Sequence, residues 1–167
     1  VAAGCYGLGT LANVHGVLFQ NGRVERASYW PVWLGMLVHA AAMLFWWRVV
    51  GHGPYMAVSE VLSSDAWTAL GVFFVFRAFF PRVQAASVVV FPLALLMLAL
   101  SVFQNPGVRS LPPTFASVWL VFHISFYKIA LGTLIIALAF SVFYLVKGRS
   151  GAAWLARLPD PEKRQYP

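Results

Sequence analysis

The stretch RSLPPTFASVWLVFHISFYKIALG, residues 109–132, decides how the chain is read. Pro112 and Pro113 fix φ and hold off helix entry, and a long apolar run then follows. Residues 117–146 exceed the roughly 20 apolar residues that a helix needs to cross about 30 Å of hydrocarbon. Within that run stand two basic side chains, His123 near the start and Lys128 in the interior. An imidazole and an ammonium inside a span have to be explained by what they contact.

Working outward, the remaining sequence has the same character. Of 167 residues, 60% are hydrophobic, 16% aromatic and 10% charged, against about 25% charged in an ordinary soluble domain. Apolar segments occur at 2–20, 29–50, 64–80, 84–103 and 117–146. The expectation is an all-α, polytopic transmembrane helical bundle of about five spans, with residues 147–167 as a basic tail or linker. The first apolar run is too long for a secretory signal peptide and lacks its basic leader.

The net charge of +7 does not point to nucleic acid, because the basic residues lie between apolar runs and form no patch interleaved with stacking aromatics. They sort by loop. Arg23, Arg26, Arg77, Arg82, Lys147, Arg149, Arg157, Lys163 and Arg164 fall on one side of an alternating topology. Arg48 and Arg109 fall on the other. The positive-inside rule then puts the N-terminus outside and the tail in the cytoplasm. Trp46, Trp47, Trp67 and Trp119 sit near the outer ends of their segments, as an aromatic belt would. Cys5 is the single cysteine, so there is no disulfide framework and no zinc spacing within the chain.

Four histidines are candidates for chemistry. His52 is in an outer loop, His123 about 9 Å below the start of the fifth helix, His39 near mid-span, and His15 in the inner half of the first span. A neutral imidazole can ligate haem iron or hydrogen-bond a neighbouring helix, and residue type and depth alone leave both open. Lys128 lies near the midplane, where a charge costs roughly 2.5 to 3.5 kcal/mol on insertion scales, and no acid is an obvious partner. It faces the protein interior, meets another subunit or serves a catalytic role. Glu60 could orient His52 or cap the third helix, and Asp65, beside Ser63 and Ser64, is expected to cap it. Ser125, Gly132 and Ala139 form a small-residue stripe for close packing. No phosphate loop, nucleophile elbow or carboxylate pair marks the chain as a hydrolase.

Two stretches carry a family resemblance. LVHAAAMLFWWRVVGHGPYMAVSEVL resembles the second span and outer loop of CcsA-type (ResC) cytochrome c assembly proteins, with His39, His52, Pro54 and Glu60 at the matching positions. LPPTFASVWLVFHISF is similar to the family's Leu-Pro-Pro helix entry with Trp-Leu-x-x-His. The resemblance implies a haem transporter or chaperone that presents haem at the outer face for attachment to apocytochrome c. His123 would be an axial ligand to the iron, and Trp119, one turn earlier, would line the porphyrin edge. The family's Trp-rich segment and second external histidine would lie beyond Pro167 or come from another membrane subunit. Lys128 departs from the apolar or small residue expected there. Two other readings stand beside this one. In the first, the chain is a structural or b-haem subunit of a respiratory or photosynthetic complex, using His15 and His39. In the second, it is a scaffold in lipid without cofactor.

Overall fold

The computed structural model describes residues 1–104 and 117–149. Their architecture is all-α: α1 (Ala2–Leu18), α2 (Gly22–Val50), α3 (Val58–Phe79), a 3₁₀ turn (Pro81–Ala86), α4 (Ser87–Phe103) and α5 (Val118–Arg149). No strand occurs among the described residues. Four stretches are long and apolar enough to cross a membrane: Gly22–Val50, Val58–Phe79, Pro81–Phe103 and Val118–Val146. With 17 residues, α1 is about 25 Å long, slightly less than the hydrocarbon thickness.

The helices alternate in direction. Tyr6 meets His39 and Asn13 meets Ser28, so α1 and α2 are antiparallel. His39 meets Ser63 while Met36 meets Trp67, which makes α2 and α3 antiparallel as well. Lys128 reaches Ser64 and Gly132 packs on Ala69 and Val72, so α3 and α5 run parallel. Arg23, Arg26, Arg77, Arg82 and the C-terminus of α5 consequently share one end of the bundle, opposite Arg48 and the 51–57 loop. The expected placement of Arg109 lies outside the described residues.

Local chemistry sets the boundaries. Asn21 starts α2, its Oδ1 accepting from Arg23 N (3.2 Å) and Val24 N (3.3 Å). This turn is tight because Gly16 lies against α2: a Cβ there would fall 2.5 Å from Glu25 N. Gly51, at φ 78°, ends α2 in the left-handed region that glycine adopts without strain. The third helix begins at Val58, ahead of the expected residue 64. The two backbone N–H groups just ahead of it are satisfied from inside the helix, Glu60 Oε2 accepting from Met56 N (3.0 Å) and Ala57 N (3.1 Å). Ala57, the residue at the cap position, has no side-chain oxygen, so Glu60 supplies alone what a capping box shares between two residues.

The core lies between all five helices, α5 contributing Ile135, Ile136 and Ala139. Tyr29, Phe73, Phe74 and Phe91 pack edge to face, with ring centroids 5.4 to 6.0 Å apart for Phe73–Phe91, Tyr29–Phe91 and Tyr29–Phe74. Arg77 caps this cluster at the basic end, its guanidinium carbon 4.2 Å from the centre of the Tyr29 ring. Elsewhere the surface is apolar: Trp30, Phe45, Phe126 and Leu134 are all exposed, as lipid contact requires.

On α5 the small-residue stripe is divided. Gly132 and Ala139 face the bundle, and a Cβ on Gly132 would come 3.1 Å from Val72. Ser125 is exposed and turns its hydroxyl to the Val121 carbonyl. From Val118 to Tyr127 no residue of α5 is buried; Lys128 is the first that is.

Candidate functional site

The polar residues at the Arg48 end converge where α2 ends and α3 begins. His52 follows Gly51 directly and is buried, with Nδ1 2.8 Å from the Gly53 carbonyl and 3.9 Å from Glu60 Oε2. Glu60 Oε1 accepts from Trp46 Nε1 (2.9 Å), so one carboxylate joins α2, the loop and α3. Of the two roles expected of Glu60, its hydrogen bonds show the one at the start of α3; His52 Nδ1, bonded to the Gly53 carbonyl, stands beyond hydrogen-bond reach of the carboxylate.

His39 lies deeper and is fully engaged. Tyr6 Oη is 3.1 Å from Nδ1, and Ser63 Oγ is 2.7 Å from Nε2. In the neutral ring one nitrogen donates and the other accepts, so this imidazole ties α1, α2 and α3 together. His15 is exposed and packs against Phe19, ring centroids 4.6 Å apart. It is nine residues along α1 from Tyr6, about 13.5 Å from the level of His39.

A cavity of about 170 Å³ lies between these elements, lined by His39, Trp46, Trp47, His52, Glu60 and Ser63 among others. Its walls are mostly apolar, with the half-exposed Trp47 at its margin. His39, His52, Pro54 and Glu60 therefore share one site. His123 and Trp119 do not line it. Both are exposed on the first two turns of α5, and His123 carries no hydrogen bond or ring contact among the described residues.

Two expectations about charge are corrected. Lys128 has a partner within the chain: Nζ donates to Asp65 Oδ1 in a short ion pair and to Ser64 Oγ at 2.8 Å. Asp65 is accordingly no helix cap; it lies in the third turn of α3, buried and facing α5. The Ser64 hydroxyl also contacts the Pro54 carbonyl (3.0 Å), linking the ion pair to the loop that carries His52. Ser63, Ser64 and Asp65 resemble an N-cap cluster in sequence, which hides their true position inside the helix. Tyr6 was not singled out from sequence at all; a tyrosine among glycines and alanines on a short apolar helix was the available signal.

The aromatic belt is also divided. Trp46 and Trp67 direct their N–H groups into the protein, Trp67 to the Met36 carbonyl at 3.0 Å, while Trp47 and Trp119 are exposed. No group of three or more His, Cys, Asp or Glu capable of holding a metal ion is present among the described residues. Comparison with protein-family models, with curated proteins and with solved structures returned no match.

Proposed function

We propose that this chain is part of a multi-span membrane protein that handles haem as cargo, presenting it at the membrane face where the 51–57 loop and the start of α5 lie. The observation that carries the reading is the state of His123. Of the four imidazoles it is the one that is both exposed and without a partner among the described residues, and Trp119 is one turn away on the same helix. A ligand to a transiently held cofactor needs an unoccupied ring nitrogen and a route of approach, and an aromatic neighbour offers the macrocycle a flat apolar contact. The resemblance of residues 111–126 and 37–62 to CcsA-type proteins points the same way.

The residues present fit half of such a site. His123 would hold the iron through its imidazole, and a second ligand would have to come from outside the described residues, for example from a further membrane subunit. Bound haem would bring iron whose potential depends on those axial ligands. The 170 Å³ cavity does not take part, since it falls well below the roughly 300 Å³ at which drug-sized ligands begin to be enclosed. Haem held inside the bundle by His15 and His39 is disfavoured, because His39 has both nitrogens bonded and the two rings differ widely in depth. Charge asymmetry supports an N-terminus outside a bacterial inner membrane and a cytoplasmic tail, which turns His123 outward towards apocytochrome c.

Purified protein titrated with haem tests the reading. A shifted, sharpened Soret band that saturates with protein for wild type and His39→Ala but not for His123→Ala is the expected result. Equal binding by His123→Ala, or a wild-type spectrum no different from that of free haem, overturns it.

A further inference from the structure

We propose that the cavity between α2, α3 and the 51–57 loop binds a small organic ammonium ion, with Glu60 as its counter-charge. This goes beyond haem handling and uses none of its residues on α5. The cavity volume is the first observation: about 170 Å³, comparable to the roughly 150 Å³ apolar cavity known to accept benzene. Its occupant is therefore a compact body of about six to eight heavy atoms.

Charge is the second. Glu60 is buried, and among the described residues it is the one acidic side chain lining the cavity, with no lysine or arginine beside it. Its three short hydrogen bonds come from neutral donors, Trp46 Nε1, Met56 N and Ala57 N, and the His52 imidazole stands 3.9 Å from Oε2, beyond hydrogen-bond reach. A buried carboxylate is costly unless paired, and a carboxylate offers about four acceptor positions, so one remains for a further donor.

The third observation is how the donors are used. Trp46 Nε1 is committed to Glu60 and His52 Nδ1 to the Gly53 carbonyl. The indole N–H and this imidazole nitrogen are thus committed, and the lining hydroxyls of Ser59, Ser63 and Ser101 can accept as well as donate, so beside a carboxylate the lining can receive a ligand bearing N–H groups. Trp46, Trp47 and the Met43 thioether complete the wall with polarizable surface, and an indole face attracts a cation placed within about 6 Å. A primary ammonium on a compact apolar body satisfies all three features at once.

Benzylammonium and benzyl alcohol have nearly the same shape and differ in charge, so the pair tests the proposal. The full chain in detergent is titrated with each by calorimetry at neutral pH. Expected is saturable benzylammonium binding at least tenfold tighter than that of the alcohol. Glu60→Gln should bring the two to equal affinity. Ala42→Phe, which fills the cavity from its exposed wall without touching the α3 terminus, should abolish both. Equal affinity for the two probes in wild type, benzylammonium binding that survives Ala42→Phe, or no saturable benzylammonium binding each overturns the proposal.

Discussion

Lys128 and Asp65 show how one side chain depends on another inside this bundle. An ammonium near mid-span would be an uncompensated charge, but Asp65 and Ser64 on the facing helix meet it. Removing either partner of a buried pair is far more harmful than removing both, because the survivor stays buried alone. Asp65→Asn and Lys128→Met should each destabilise the protein by ~3–5 kcal/mol. The double variant Asp65→Leu with Lys128→Met should recover most of that loss. Denaturant unfolding in mixed micelles measures all three; a double variant as unstable as the worse single one would refute the pairing argument. At His39 the stakes are smaller. Tyr6→Phe deletes a hydroxyl and keeps the ring, leaving one imidazole nitrogen unbonded, and should cost about 0.6 to 2 kcal/mol, the range for hydrogen bonds between membrane helices. That Lys128 needs a partner was legible from its depth alone. The identity of the partner was not, because Ser63, Ser64 and Asp65 are all good cap types and the helix start they suggested drew Asp65 out of the span.

For the helices themselves, apolar length was a sound guide and boundary chemistry a poor one. The runs at 29–50, 84–103 and 117–146 recur as α2, α4 and α5, with ends within three residues except the start of α2, which lies seven residues earlier, since a span cannot leave its backbone groups unpaired in lipid. The largest shift at a start apart from that of α2 is in α3, where Glu60 reaches back to two backbone N–H groups and lets the helix begin at a residue of poor capping type. Reaching back over three and four residues leaves no signature that distinguishes it from an acid in a loop. The close approach of α5 to α3 is a property of the same kind. Gly132→Leu should push α5 away from Ala69 and Val72 and stretch the Lys128 contact, lowering stability by roughly 1–3 kcal/mol, as overpacking does elsewhere. Ser125→Leu, at the exposed member of the same stripe, should change stability little. Thermal unfolding of the two variants side by side checks this, and equal losses would mean that Ser125 also faces a helix.

At the scale of the whole molecule, the alternation of helix direction carries the functional argument. Gathering Arg23, Arg26, Arg77 and Arg82 at one end puts His52, Glu60 and the first turns of α5 at the other. The proposed outward site therefore stands or falls with the orientation of the bundle. Both ends can be read chemically, because Cys5 is the single native cysteine and can be replaced. In a Cys5→Ser background, Val58→Cys lies exposed at the start of α3, and Gln20→Cys lies exposed in the turn between α1 and α2. A membrane-impermeant maleimide added to intact spheroplasts should label Val58→Cys and spare Gln20→Cys until the membrane is disrupted. The positive-inside rule requires that pattern, since short loops rich in Arg and Lys resist translocation. The reverse pattern would turn His123 and Trp119 towards the cytoplasm. A haem ligand on that side would meet cofactor before export and could not present it to an acceptor outside, so the proposed role would fail even if the Soret titration succeeded.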